Sequence, residues 1–358
     1  MLADFIRSEL DELRRANLIR EPRVVERVQG PYVTIEGRKL LSFCSNDYLG
    51  IGQDPRLAGA AAKVAAEYGW GAASSRSLSG SSVHHAALET KIALFKRTPA
   101  ALYFPSGYMA NLGLLTSIAD RHTLIVSDAL NHASLIDACR LSRATVEVYP
   151  HRDVAAAARL LKGKAKRKLI LTDTVFSMDG DLAPLAELRR LGADLVIDDV
   201  HGLGVFGPQG RGNLDCPIQT GNLAKAAGSV GGFVAGSKQL IELLRSRART
   251  FLFTTAPPPA VCAAGLAALT LVQNANRQRT KLWKNIRLLG AQSPIHTVIL
   301  GSNERALAAS RKLLDRGFFV PAIRPPSVAS GTARLRITVT AMHEREHIEA
   351  LLQALRKL

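Results

Sequence analysis

Lys225 lies in the small-residue loop Gly221-Asn222-Leu223-Ala224-Lys225-Ala226-Ala227-Gly228, some 24 residues after the segment Val196-Ile197-Asp198-Asp199-Val200-His201-Gly202. An apolar strand that ends in a carboxylate, followed by a lone lysine among small residues, supplies two groups that pyridoxal phosphate (PLP) chemistry requires. The amine joins the aldehyde of the cofactor. The carboxylate keeps the pyridine nitrogen protonated, so that the ring accepts electrons. Each half also has a plainer reading. An Asp at a strand end is often a cap or turn residue, and a Lys in such a loop is usually a solvated charge. The order, spacing and neighbours of the two together favour the chemical reading.

These groups need a scaffold, and the hydrophobic pattern describes one. Residues 1–20 read as a helix with Leu10, Leu13 and Leu18 on one side. Val24 to Leu41 alternates and carries turn signals at Gln29-Gly30-Pro31 and Glu36-Gly37-Arg38, so it reads as a small antiparallel sheet. From about residue 55 to 260, helical patterns alternate with short apolar strands at Ala101–Phe104, Thr123–Ser127, Thr145–Tyr149, Lys168–Thr172, Asp194–Asp198 and Gly232–Ala235. That alternation predicts an α/β fold with a mostly parallel sheet flanked by helices, and ligands in such sheets sit at the carboxyl ends of the strands. His132, Ser177, Asp198 and His201 fall there. A long helix follows Pro257-Pro258-Pro259. A smaller α+β unit comes last: strand His296–Leu300, helix Asn303–Arg316, strands Phe318–Ile323 and Ala333–Thr338, and helix Glu344–Lys357. The expected division is an N-terminal helix and small sheet (1–45), a large domain (46–270) and a small C-terminal domain (271–358).

With 358 residues, 47% apolar and 22% charged, the chain has the composition of a globular protein with room for a large core. No apolar run reaches membrane-spanning length, and the amphipathic start lacks the pattern of a signal peptide. Cys44, Cys139, Cys216 and Cys262 are scattered without metal spacing; buried free thiols in a reducing cytoplasm are expected, and no metal. The net charge of +17 raises the question of nucleic acid, but the basic residues are spread out and aromatics make up only 5%, without aromatic–basic interleaving. The one dense run, Lys162-Gly163-Lys164-Ala165-Lys166-Arg167-Lys168, joins a predicted helix to a predicted strand. A solvated surface ranks first, attraction of an anionic substrate second and nucleic acid last.

Several motifs follow one another along nearly the whole chain: Ser45-Asn46-Asp47-Tyr48-Leu49-Gly50, Ser75-Arg76, Ser106-Gly107-Tyr108 with Ala110-Asn111, and Asn131-His132-Ala133-Ser134. Phe176-Ser177-Met178-Asp179-Gly180-Asp181, Asp198-Asp199-Val200-His201-Gly202 and Gly207-Pro208-Gln209-Gly210-Arg211-Gly212 continue the series. In this order they resemble the α-oxoamine synthase family of PLP enzymes, on the type I (aspartate aminotransferase-like) fold. The resemblance implies a homodimer that condenses an amino acid with an acyl thioester, losing CO2. Ile323-Arg324-Pro325-Pro326-Ser327 and Gly331-Thr332-Ala333-Arg334-Leu335-Arg336-Ile337-Thr338 are most similar to the branch that joins L-alanine to a pimeloyl thioester, on CoA or an acyl carrier protein, in biotin synthesis. Glycine C-acetyltransferase, another α-oxoamine synthase, and a non-catalytic subunit on the same fold are the alternatives.

Carried onto this sequence, the resemblance implies that Lys225 binds PLP and moves the α-proton, and that Asp198 holds the pyridine nitrogen. His132 stacks on the ring, and Ser177 and His201 bond its oxygen. Gly107 and Tyr108 open a helix whose N–H groups hold the phosphate, together with Asn222 and with Thr254 and Thr255 of the neighbouring subunit. Asn46 and Arg336 hold the amino-acid carboxylate, Ser75 leaves room for a methyl group, and Arg20, Arg324 and Ser327 line the acyl end. Two departures stand out. Asn222 replaces the usual Thr three residues before the lysine, and Ala73-Ser74 replaces a usual Gly-Gly, which is costly wherever φ must be positive. The chain is also shorter than the family pattern between Pro184 and Asp198, between Gly212 and Gly221, and between Leu282 and Ile295.

Overall fold

The computed structural model describes residues 1–358. The chain divides into two compact units. One contains Met1–Asn46, Met178–Gly180 and Thr280–Leu358; the other contains Asp47–Ser177 and Asp181–Arg279.

The larger unit is built on a seven-stranded sheet in the order Ala100–Phe104, Gly232–Gly236, Ile218–Asn222, Asp194–Asp198, Arg167–Asp173, Thr123–Asp128, Thr145–Tyr149. Gly232–Gly236 runs antiparallel to both neighbours; the other pairings are parallel. The pleat explains why these strands read as unbroken apolar runs. In Thr123–Asp128, Ile125 joins Leu114, Leu135 and Val196 on one face, while Leu124 and Val126 join Tyr149, Ile170 and Leu195 on the other. Both faces are covered, as a parallel sheet requires. Each such buried aliphatic side chain contributes about 1.5–3 kcal/mol, so the sheet is the rigid part of this unit.

The strand Ile218–Asn222 was not legible from hydrophobicity. Its sequence, Ile-Gln-Thr-Gly-Asn, is polar, and Gln219 and Thr220 are buried within it. Pairing on both sides supplies its stability. It is parallel to Asp194–Asp198 and antiparallel to Gly232–Gly236, so ladder hydrogen bonds stand in for apolar packing.

The smaller unit carries two sheets. Arg27–Gln29, Tyr32–Ile35 and Arg38–Ser42 form the expected antiparallel meander. The expected strand Phe318–Ile323 is two short ones. Phe318–Phe319 pairs parallel with Leu41–Ser42, and Ala322–Ile323 pairs antiparallel with Arg334–Leu335. Pro321 separates them, because it has no N–H to continue a ladder. The strand Ile295–Gly301 completes the second sheet beside Ala333–Thr338. The first helix ends at Arg15 rather than near residue 20, since Asn17 turns left-handed at φ 55°. No helix is long and apolar enough to cross a membrane.

Candidate active site

In the larger unit, adjacent parallel strands end in Asp173 and Asp198, which are directly paired. Asp198 is held on every side. Its Oδ2 accepts from Asn111 Nδ2 at 2.7 Å, its Oδ1 accepts from the Val200 N–H at 3.0 Å, and its carbonyl accepts from the Thr174 N–H at 2.9 Å. Burying a carboxylate is costly unless donors such as these meet its oxygens. Asp173 accepts from the His132 N–H at 2.9 Å. Burial first, and the nearby charge of Asp198 second, push its pKa well above the usual carboxylate range, against the opposing effects of the His132 N–H and Lys225.

Lys225 Nζ lies 2.6 Å from His201 Nε2, and His201 Nδ1 lies 2.6 Å from the Tyr48 hydroxyl. An amine donating to Nε2 places the imidazole proton on Nδ1, facing Tyr48. The turn that carries His201 starts at Asp199, directly after the strand that ends in Asp198. His132 caps the helix Ala133–Ser142, its Nδ1 accepting from the Ser134 N–H at 3.2 Å. Burial of the His132 ring lowers its pKa, Asp198 opposes and Lys225 adds, which favours the neutral imidazole. A neutral, flat ring suits stacking on an aromatic ligand. Ser177 follows the buried Phe176 and is half-buried.

An anion cradle adjoins these groups. The helix Gly107–Ile118 starts at Ser106, whose Oγ accepts from the Met109 N–H at 3.2 Å and leaves the first-turn N–H groups of Gly107 and Tyr108 for a ligand. A Cβ on Gly107 would make ordinary contact with Asn222 Cβ and Nδ2 at 3.4 Å, whereas a Cβ on Gly232 would meet Gly107 N and Cα at 2.5 Å, so the close approach requires glycine at 232. Asn222 therefore stands against the helix N-terminus despite its departure from the family's Thr. The Tyr108 hydroxyl donates to Asp137, and its ring meets His132 edge-on with centroids 6.5 Å apart.

Ser75 forms a β-bridge with Thr255, and the Ala256 N–H donates to the Ser74 carbonyl at 2.9 Å. Two segments singled out for different roles thus form one local structure, with Thr254 half-buried and Thr255 exposed. Ala73 adopts φ 52°. The left-handed region costs an L-residue roughly 1–2 kcal/mol, so Ala73→Gly is expected to raise stability by about 1 kcal/mol, read as a higher urea midpoint. An unchanged or lower midpoint would mean that the loop relaxes without cost.

In the smaller unit, Arg336 donates to Thr338 Oγ1 at 2.9 Å and to Asn46 Oδ1 at 3.1 Å. Arg334 instead pairs with Asp179 and donates to the Met178 and Thr332 carbonyls. Arg324 binds the Asn17 and Ile19 carbonyls, and Arg20 Nη2 donates to the carbonyls of Arg324 and Pro325 at 3.2 and 3.1 Å. Arg20 and Arg324 thus brace one another's segments. Ser327 is exposed and its N–H donates to the Arg324 carbonyl at 3.2 Å.

The residues fit PLP. An amine, a strand-end carboxylate, a neutral imidazole and a glycine-opened helix N-terminus supply the donors and acceptors that its aldehyde, pyridine nitrogen, ring face and phosphate require. Tyr48 and Asn111 lie within the sequence motifs without an assigned role, and Asp173 lies outside them. The signal for Asp173 was present: it ends the strand before the one that ends in Asp198. Tyr48 and Asn111 carried no comparable signal, because only the fold brings them to His201 and Asp198.

Beside these strand ends, His151 bridges Asp128 at 2.9 Å and Asp181 at 2.8 Å. Burial alone would lower its pKa; hydrogen bonds and charges from the two carboxylates outweigh that and raise it to about 9. A raised histidine pKa stabilises the fold fully below about 6.5 and loses that contribution as pH climbs through about 9. Unfolding midpoints should therefore fall between pH 7 and 10 by the equivalent of roughly 2 kcal/mol, and His151→Gln should flatten the fall. An equally steep fall in His151→Gln would assign it to other groups.

Comparison with known proteins identifies the family. Residues 38–355 match the family model "Aminotransferase class I and II". The chain belongs to this family, in its α-oxoamine synthase branch. It is 44% identical to an 8-amino-7-oxononanoate synthase of Marinobacter nauticus over 99% of this chain and 96% of that protein. Among solved structures, SPT with PLP superposes with a TM-score of 0.92 at 30% identity, covering 99% of this chain and 96% of that one. An 8-amino-7-oxononanoate synthase from Francisella tularensis gives 0.80 at 28% identity, covering 89% and 97%. Both structures, with the family model, support the expected type I fold.

Proposed function

We propose that this chain is a PLP-dependent acyltransferase that condenses L-alanine with a pimeloyl thioester, on CoA or an acyl carrier protein. The products are 8-amino-7-oxononanoate, CO2 and the free thiol carrier, in biotin biosynthesis. The contact of Lys225 with His201 beside the strand-end carboxylate Asp198 carries this reading, in a chain similar end to end to enzymes named for that product. When bound, PLP supplies an electron sink for negative charge at the α-carbon.

The chain's own residues do the rest. Asp198 takes the pyridine N–H, and His132 covers the ring face. Ser177 and His201 bond the ring oxygen. Gly107, Tyr108 and Asn222 hold the phosphate. Lys225 moves the α-proton, a role that suits an amine held within hydrogen-bond distance of an imidazole. Asn46 and Arg336 bind the alanine carboxylate, whose two oxygens match a guanidinium fork. Ser75 leaves space for the alanine methyl. Arg20, Arg324 and Ser327 hold the distal carboxylate of the acyl chain. The active species is a homodimer, with Thr254 and Thr255 of each copy reaching the other's phosphate site. The exposed apolar residues Trp70, Leu78, Val230 and Phe253 of the larger unit support an interface there.

Steady-state rates with four substrate pairs test this: alanine or glycine, each with pimeloyl-CoA or acetyl-CoA. Alanine with pimeloyl-CoA should be best. The preference over glycine should be modest, since one methyl is worth about 1–3 kcal/mol. The preference over acetyl-CoA should be larger, because the short chain leaves the distal cations without an anion. If glycine with acetyl-CoA were best, the chain would be a glycine C-acetyltransferase. If PLP bound and no pair turned over, it would be a non-catalytic subunit.

A further inference from the structure

Lys96 has no part in the chemistry just described, yet its ammonium group is fully buried. Its side chain is 0% exposed and pairs with Asp199, 2% exposed, at 2.7 Å. Burying two charges is costly unless every donor and acceptor is met. Here they are. The ammonium donates to Asp199 Oδ2, to the Arg211 carbonyl at 2.6 Å and to the Asn213 carbonyl at 3.1 Å, which uses its three N–H bonds. Asp199 also accepts from Thr174 Oγ1 at 2.8 Å and from the Asn213 N–H at 2.9 Å.

The tether is reciprocal. Lys96 ends the helix Val83–Lys96. The Arg211 side chain returns to that helix end, donating to the Leu94 and Phe95 carbonyls, both at 3.1 Å. Loop 207–213 and the helix end are thus sewn together by two cations, each of which uses the other's neighbourhood as its acceptor. Packing does not replace the stitch. A cavity of about 500 Å³ borders Asp199, Gly212 and Asn213 and is lined by Val175, Leu182, Phe206 and Leu214.

Asp199 is also the base of the turn that carries His201. Its carbonyl accepts from the Gly202 and Leu203 N–H groups, both at 3.1 Å, and its own N–H donates to the Thr220 carbonyl at 2.9 Å. It follows Asp198 directly.

We infer that Lys96 is a positioning residue for the cofactor site: through Asp199 it holds the turn that sets Asp198 and His201, and hence the His201–Lys225 contact. The inference rests on the PLP reading above. Lys96 touches neither Lys225 nor the helix N-terminus, so its effect is carried through Asp199 and loop 207–213.

The test uses the full chain with Lys96→Met, and with Lys96→Met/Asp199→Asn as a variant that leaves no buried charge unpaired and so folds even where the single variant does not. Three quantities are measured: PLP affinity, the ratio of visible to near-ultraviolet absorbance of bound PLP, and hydrogen exchange at Gly202, Leu203 and Asn213 without PLP. Both variants should bind PLP about tenfold or more weakly, with a changed absorbance ratio. Exchange should quicken at the three amides, while the strands Thr123–Asp128 and Thr145–Tyr149 stay protected. Unchanged exchange would overturn the inference. So would faster exchange with PLP affinity and absorbance unaltered, since Lys96 would then brace only the loop. If the unsubstituted chain bound no PLP, the functional reading would fail instead, and the exchange result would still decide whether Lys96 holds the turn.

Discussion

Lys225→Ala should abolish the visible absorbance of lysine-bound PLP and lower turnover by roughly 10³-fold or more, because in the proposed function it removes both the amine that joins the cofactor and the group that moves the α-proton. The fold should survive. Lys225 is only half-buried, in a loop set by the Gly228 N–H bond to its carbonyl at 2.8 Å. Losing a partly exposed charge there is worth about 1 kcal/mol or less. His201 keeps its Nδ1 contact with Tyr48 and loses only the Lys225 contact at Nε2. Lys225→Arg separates the two roles from charge alone. A guanidinium preserves the cation but neither gives up its proton nor joins an aldehyde. It should be as inactive as the alanine variant. Near wild-type turnover in Lys225→Ala would mean that another amine does the chemistry.

How far the sequence could be read differs by kind of residue. The sheet was legible where strands are buried on both faces, because burial demands apolar runs such as Leu124–Val126 and Ile170–Leu171. It was not legible at Ile218–Asn222, where backbone pairing on both edges makes the strand and side-chain character is incidental. Among site residues, those whose chemistry is unusual in context stood out: a lysine among small residues, or a carboxylate at an apolar strand's end. Those that act by meeting a distant partner did not. Tyr48 lies 153 residues from His201, and Lys96 lies 103 from Asp199. Nothing local marks a helical lysine as buried; Lys96 reads as a solvated charge until the fold places three oxygens around it. Ala73 is the converse. A positive φ was expected only conditionally, from the family's glycine, and the backbone meets that condition at 52°.

Arg336→Ala should raise the KM for alanine by about 30-fold or more while the PLP spectrum stays normal. In the proposed function the lost interaction is a bidentate bond to the alanine carboxylate at a residue only 6% exposed, worth roughly 2–5 kcal/mol. Arg334, two residues away on the same strand face, is the competitor for this role, and electrostatics separates them. The Arg334 guanidinium is already neutralised by Asp179 and fixed by the Thr332 carbonyl. A substrate carboxylate would have to displace Asp179 to reach it. Arg336 donates to the neutral oxygens of Thr338 and Asn46, which orient the fork. Arg334→Ala should therefore damage stability, by stranding Asp179, more than it damages the alanine KM. Arg336→Lys should recover only part of the loss, since one ammonium cannot match two carboxylate oxygens in a fork. An unchanged alanine KM in Arg336→Ala, with a raised one in Arg334→Ala, would reverse the assignment and require Asp179 to move when substrate binds.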